Sequence, residues 1–272
     1  MHDRSRTLER SGPLTGPGSM VEALPLMDTL LNKARRVLDA FDADSHVLSL
    51  TELARRSGVP KTTVHRIASE FVDWGLLERA GTKYCLGMRL FELGHLVPAQ
   101  RHLRDAALPY LQELHATAQA TVHLSIRDGL DVLYVDKLSG HGALELPSRV
   151  AGRLPLYMTA TGKAILAYSP PELVEQVVDN GLTRATQLTV GSAGRLRGQL
   201  ERTRAQLFAV EVEEVVLGVG SVAVPLFSRS ELIGAVSLTT ATSRMNIERM
   251  AGHLRLAGDA IGRAVRELER SA

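Results

Sequence analysis

The chain has 272 residues, 44% of them hydrophobic and 23% charged, with a formal net charge of +2. That is an ordinary globular composition with room for about two domains, and so small a charge excludes capture of nucleic acid by the whole-molecule field, so any such contact must be a local patch. The one cysteine, Cys85, excludes an intrachain disulfide framework and a Cys-rich metal site and fits a reduced, cytoplasmic compartment, and no apolar run nears the length of a membrane span.

Residues 1–26 lack the apolar stretch of a secretory signal and are rich in Arg, Ser, Gly and Pro, so a disordered tail is expected. Leu30, Leu31, Ala34, Val37, Leu38 and Phe41 then recur at helical spacing, with Asp28 as the expected N-cap. Ser49-Leu50-Thr51-Glu52 has the form of a capping box and starts a second short helix through Ser57. Gly58-Val59-Pro60 breaks it. A third helix is predicted from Lys61 to Asp73, with Val64, Ile67, Ala68 and Phe71 on one face. Trp74, just beyond, is expected to anchor the core. Leu76 to Arg79 and Lys83 to Leu86 read as strands of a hairpin around Ala80-Gly81-Thr82. Three helices followed by a hairpin make a winged helix-turn-helix, residues 27–87. Residues 88–104 are predicted as a linker helix interrupted at Pro98, with Leu90, Phe91, Leu93 and Val97 offering apolar surface.

Residues 105–272 alternate differently. Strands are expected at Thr121 to Arg127, Asp131 to Leu138, Phe208 to Val212, Ser221 to Phe227 and Leu232 to Thr240. Helices are expected at Thr159 to Tyr168, Pro171 to Asp179, Gly194 to Gln206 and Asn246 to about Glu269. The fold class is α+β, with the hairpins forming an antiparallel sheet flanked by helices.

The third helix has the two faces that a DNA-reading helix needs: one packs, and the other offers cations for phosphates and polar groups for base edges. Its outward residues are Lys61, Thr62, Thr63, His65, Arg66 and Ser69; Arg55 and Arg56 end the preceding helix, and Arg79 and Lys83 flank the wing tip. Between Thr51 and Ser69 four cations stand against Glu52, itself used as a cap, so this patch is positive on a nearly neutral chain.

The run Leu50-Thr51-Glu52-Leu53-Ala54-Arg55-Arg56-Ser57-Gly58-Val59-Pro60-Lys61-Thr62-Thr63-Val64-His65-Arg66-Ile67 closely resembles the helix-turn-helix of the IclR family of bacterial regulators. Thr121-Val122-His123-Leu124-Ser125, Ala160-Thr161-Gly162-Lys163-Ala164, Glu213-Glu214-Val215-Val216-Leu217-Gly218-Val219 and Gly234-Ala235-Val236-Ser237-Leu238-Thr239 follow in the family's order. The resemblance implies a winged-helix head, a linker helix and a GAF-like effector-binding domain, assembled as homodimers, often paired into tetramers, on palindromic double-stranded operators.

For a small ligand, Ser237 and Thr239 share a strand face, Ser221 and Ala223 do the same on a neighbouring strand, and Ala160-Thr161-Gly162 opens a helix whose free N–H groups favour an anion. The resemblance places the family's pocket at Leu146, Ala160, Thr161, Glu211, Ser221, Ser237 and Thr239, and the expected effector is a small organic acid of catabolism. The chain departs from the family's usual residues at Glu211 (commonly Asp), Ser221 (commonly Cys) and Gly220 (commonly Arg), which alters pocket size and polarity.

Other chemistry is weak. Gly162-Lys163 lacks the surrounding residues of a phosphate loop, with Tyr157 and Ala164 at the decisive places. The nine histidines show no metal-ligand spacing. His123 reads as structural or pocket-lining, and Glu213-Glu214 as a solvated pair rather than an acid/base couple. No catalytic set, cofactor site or metal site is expected. A ligand-responsive regulator is favoured over an enzyme built on the C-terminal domain, or a constitutive DNA binder that uses that domain only to dimerise.

Overall fold

The computed structural model describes residues 29–42, 44–140 and 144–271, so the expected tail lies outside them. They form two compact units, 29–101 and 102–271.

The first unit holds α1 (Leu30–Leu38), β1 (Val47–Ser49), α2 (Leu50–Ser57), α3 (Lys61–Asp73), β2 (Leu77–Ala80), β3 (Lys83–Leu86) and α4 (Met88–His95). The cap of α1 is Thr29, whose hydroxyl accepts from Asn32 N at 3.2 Å; the expected Asp28 lies outside the described residues. Ser49 and Glu52 form the full capping box of α2, each side chain accepting from the other's backbone N–H. Gly58 ends α2 with φ +62°, the left-handed conformation that glycine adopts without steric cost. The turn is held by Arg36, whose Nε donates to Ser57 O at 2.7 Å. Val37, Leu53, Val64, Ile67, Phe71, Leu77 and Tyr84 fill one small core.

Two expectations change here. The sheet has three strands in the order β1-β3-β2, because Val47–Ser49 pairs antiparallel with the hairpin. Trp74 does not anchor the core: it is 61% exposed, with its ring against Phe71 at a centroid distance of 6.0 Å, and the fully buried Leu77 takes the place under the wing. On α4, Met88, Phe91 and Leu93 are exposed, as are Leu96 and Val97 beyond it.

The second unit contains most of α5 (Pro98–Ala118), then β4 (Thr121–Asp128), β5 (Asp131–Leu138), β6 (Arg153–Pro155), α6 (Ala160–Ala167), α7 (Pro171–Asp179), α8 (Ala193–Gln206), β7 (Ala209–Val212), β8 (Val219–Ser228), β9 (Glu231–Ala241) and α9 (Ile247–Ser271). The strands form one antiparallel sheet in the order β6-β5-β4-β9-β8-β7. Helices cover both faces. Val122, Leu124, Val222, Val224, Val236 and Leu238 pack on Leu103, Leu111, Leu254 and Ile261 of α5 and α9. On the other face Val132, Tyr134, Ala209, Ala223 and Ala235 pack on Ile165, Leu196 and Leu200 of α6 and α8.

The intervening residues of β4, β8 and β9, namely His123, Ser125, Ser221, Ser237 and Thr239, are polar and buried, and by strand alternation they share the α6 face. Here α6 sits hard against the short turn before it. A Cβ on Gly162 would lie 2.1 Å from Leu156 O, so only glycine allows this approach. Gly162→Ala is expected to destabilise the protein by about 1–3 kcal/mol, as overpacking does. Urea unfolding of the variant beside wild type measures it, and an unchanged midpoint would contradict the packing.

Candidate functional site

Two sites emerge, one in each unit. In the head, α3 buries Val64, Ile67, Ala68 and Phe71 and turns Lys61, Thr62, His65 and Arg66 to solvent, with Thr63 half-buried. Arg55 at the end of α2, and Arg79 and Lys83 on the wing, are exposed as well. Arg79 lies over the Tyr84 ring at 5.1 Å from its centroid. Arg35, Arg56 and Arg89 are in ion pairs, whereas among the described residues Arg55, Lys61, Arg66, Arg79 and Lys83 are in none. Arg56, at the end of α2, and Ser69, an outward residue of α3 by its spacing, are used within the head. Arg56 donates to Asp42 Oδ2 at 2.8 Å, Ala40 O at 3.1 Å and Ser45 Oγ at 2.5 Å, and its hydrogen bond holds the Asp42 carboxyl below its ordinary range. The Ser69 hydroxyl donates back to His65 O at 3.0 Å.

The second site is a cavity between the sheet and the start of α6, partly open to solvent. All seven residues singled out for it, Leu146, Ala160, Thr161, Glu211, Ser221, Ser237 and Thr239, line this one space, together with His123, Tyr134, Ser148 and Thr159. Register explains the gathering. Ser221 stands opposite both Glu211 on β7 and Thr239 on β9, and Ser237 stands opposite His123 on β4. Ser221 Oγ and Thr239 Oγ1 are 2.9 Å apart. His123 Nε2 lies 2.8 Å from Ser148 Oγ, and its Nδ1 lies 3.4 Å from Thr239 Oγ1 and 3.5 Å from Ser237 Oγ. At the helix start, Gly162 N donates to Thr159 Oγ1 at 3.0 Å. The N–H groups of Ala160 and Thr161 have no partner within the helix.

The charge inside is distinctive. Burial pushes His123 down to about 3, with the charge of Lys137 adding to it, so the imidazole is neutral at ordinary pH. Burial pushes the Glu211 carboxyl up to about 7, even though Oε1 accepts from Glu214 N at 2.6 Å and Val215 N at 3.3 Å. Burial also raises the Tyr134 phenol, and Glu211 raises it further. Beside the cavity, the fully buried Lys163 is paired with Glu214, whose Oε2 also accepts from Val190 N at 2.9 Å. Glu213-Glu214 is therefore not a solvated pair. Glu213 adopts φ +58°, which turns the chain so that Glu214 enters the interior. Spacing does not reveal that pair; its one visible signal is a lone lysine, Lys163, directly before the apolar run Ala164-Ile165-Leu166-Ala167.

Comparison with known proteins bears on both sites. A family profile described as "IclR helix-turn-helix domain" matches residues 30–81, and one described as "Bacterial transcriptional regulator IclR C-terminal" matches residues 95–263. The HTH-type transcriptional regulator XynR of Escherichia coli is 33% identical, over 89% of this chain and 98% of that protein. The transcriptional repressor IclR of Escherichia coli is 26% identical, over 81% of this chain and 82% of that protein. Among solved structures, an IclR homolog from Microbacterium hydrocarbonoxydans complexed with 4-hydroxybenzoate superposes with a TM-score of 0.84 at 30% identity, over 88% of this chain and 100% of that one. The Thermotoga maritima IclR superposes with a TM-score of 0.72 at 27% identity, over 87% of this chain and 98% of that one.

Glu211 ties stability to pH. Its carboxyl titrates near 7 when folded, against an ordinary 4.5, so the folded protein holds that proton more tightly than the unfolded chain does. The contribution is therefore full below the ordinary value and is lost as pH rises towards 7, a loss on the order of 3 kcal/mol. Glu211→Gln removes the titration and keeps the acceptor oxygen. Urea unfolding is expected to show the variant gaining most of that amount over wild type at pH 8 and little at pH 5; an equal difference at both values would contradict the assignment.

Proposed function

The chain belongs to the IclR family of transcriptional regulators, and from that premise we propose that it grips double-stranded operator DNA through α3 and the wing and changes that grip when a small organic acid enters the cavity beneath α6. The family consists of regulators rather than enzymes, with a helix-turn-helix for DNA and a domain for an effector. The single observation that carries the finer reading is the convergence of the hydroxyls of Ser221, Ser237 and Thr239 with the start of α6 around one cavity.

In this reading Arg55, Lys61, Arg79 and Lys83 meet phosphates, which position the head without reading sequence. Thr62, Thr63, His65 and Arg66 face base edges in the major groove. Residues 27–87 are the head, 88–104 the linker helix and 105–272 the effector domain. The acid's carboxylate sits on the N–H groups of Ala160 and Thr161 and on the strand hydroxyls, and Leu146 forms an apolar wall. The 4-hydroxybenzoate held by the Microbacterium relative supports an aromatic acid of about that size. The exposed Phe91, Leu93, Leu96 and Val97 support a homodimer joined along the linker. Two heads then read half-sites about one DNA turn apart, ~34–36 Å, or at a multiple. The effector acts by binding unequally to two head spacings.

A gel-shift titration with the DNA upstream of the protein's own gene, at two salt concentrations, tests this. A complex that survives excess unrelated DNA, weakens with salt and changes affinity on adding 4-hydroxybenzoate is expected. Arg66→Ala should weaken operator binding by ~1–3 kcal/mol, roughly fivefold to a hundredfold, while leaving the melting temperature unchanged. Wild-type affinity in that variant would contradict the proposed use of α3.

A further inference from the structure

The cavity presents an acid with no cation of its own. Glu211 on β7 lines the cavity, and Lys163 on α6 and Glu214 beyond the end of β7 lie next to it outside the lining. The Lys163 ammonium is committed to Glu214, which also accepts from Val190 N and, at 3.3 Å, from Gln199 Nε2. Glu211 therefore lines the cavity with no salt bridge of its own; the Lys163 charge nearby favours its ionised form, but burial and the Glu214 charge oppose it and burial prevails. The other titratable groups that face it are the Tyr134 phenol on β5 and the neutral His123 on β4, and neither supplies positive charge. Lys137, next along β5, donates to Ser148 O at 2.6 Å and lies outside the lining. Neither Lys nor Arg is among the described residues that line the space. One carboxyl oxygen of Glu211, Oε1, is held by two backbone N–H groups, so Oε2 is the atom left to meet a ligand.

An anionic effector must enter this space beside a carboxylate. Two like charges confined at hydrogen-bond range cannot both stay ionised in a poorly solvated site. We propose that an effector acid binds together with one proton, which comes to rest between Glu211 Oε2 and the effector's carboxylate so that the two carboxyls form a single hydrogen-bonded acid pair. The inference rests on the organic-acid reading above and deepens it. The balance is simple: effector anion, Glu211 carboxylate and one solvent proton give a complex with one negative charge, which the α6 start and the strand hydroxyls stabilise. At pH values where Glu211 is already protonated the proton is in place beforehand, so uptake is small. Above about 7, where Glu211 is ionised in the empty cavity, uptake approaches one proton per ligand. The pair titrates as a unit, so the proton belongs to both carboxyls.

The test is isothermal titration calorimetry of the full-length protein with benzoate and with 4-hydroxybenzoate. It runs at pH 6, 7, 8 and 9, in two buffers of different ionisation enthalpy at each pH. Expected is proton uptake rising towards one per acid bound at pH 8 and 9, with Kd weakening about tenfold per pH unit there. Glu211→Gln should bind with no uptake and with a flat pH profile. Wild-type binding without uptake, with affinity constant from pH 6 to 9, would overturn the proton-coupled pair and leave the organic-acid reading standing. Equal uptake in wild type and Glu211→Gln would overturn the role of Glu211. No binding of either acid at any pH would overturn the acid reading and this inference with it. The two-buffer comparison on wild type decides the question even if the variant folds poorly.

Discussion

A sheet covered by helices on both faces has nowhere to put a polar side chain unless another polar group meets it. In this chain β4, β8 and β9 obey that constraint in alternation. Val122, Leu124, Val222, Val224, Val236 and Leu238 face α5 and α9 and are simply apolar. Their neighbours face α6, and there the polar residues are buried too. Burying an unpartnered hydroxyl or imidazole is costly, so these groups must find one another or a ligand. Ser221 finds Thr239, and His123 finds Ser148, Ser237 and Thr239. The cavity is the place where that network opens, and on the same strand as His123 the buried Ser125 Oγ has no protein partner. The second face of the sheet is thus an apolar core interrupted by one polar patch at the cavity.

The same constraint governs charge. Three ionisable groups are packed at the cavity wall, Glu211 in its lining and Lys163 and Glu214 beside it, and only one pair can neutralise itself. Lys163 and Glu214 do so, tying α6 to the loop after β7. The backbone of that loop then reaches Glu211 through the N–H groups of Glu214 and Val215. The pocket carboxyl is therefore held by the very segment that the ion pair fixes, and its orientation depends on a pair no ligand needs to touch.

How much of this was legible in the sequence depended on how local the cause was. The head could be read closely, because the capping box at Ser49, the left-handed stop at Gly58 and the spacing of Val64, Ile67 and Phe71 are all short-range signals. Val47–Ser49 and Arg153–Pro155 could not, because three residues carry no period and exist as strands only through pairing with β3 and β5. Two-residue alternation put the hydroxyls of Ser237 and Thr239 on one face without any structure. What it could not supply was the cross-strand register that sets Ser221 against Thr239, nor a salt bridge between residues 51 positions apart. Trp74 stays exposed because Leu77, three residues on, fills the core place that an aromatic after a helix would otherwise take.

The Lys163–Glu214 pair also bears on how such a domain diversifies. Losing one partner strands a buried charge at a cost of ~3–5 kcal/mol, whereas replacing both by apolar residues of similar volume can be nearly neutral. Neither position can drift alone, and a lineage must cross an unstable intermediate to change either. The wall residues Ser221, Ser237 and Thr239 are linked only by neutral hydrogen bonds to one another and to His123, which cost less to break than a buried ion pair. The lining of this cavity can thus change at a lower cost per substitution than the frame around it, which alters only in double steps.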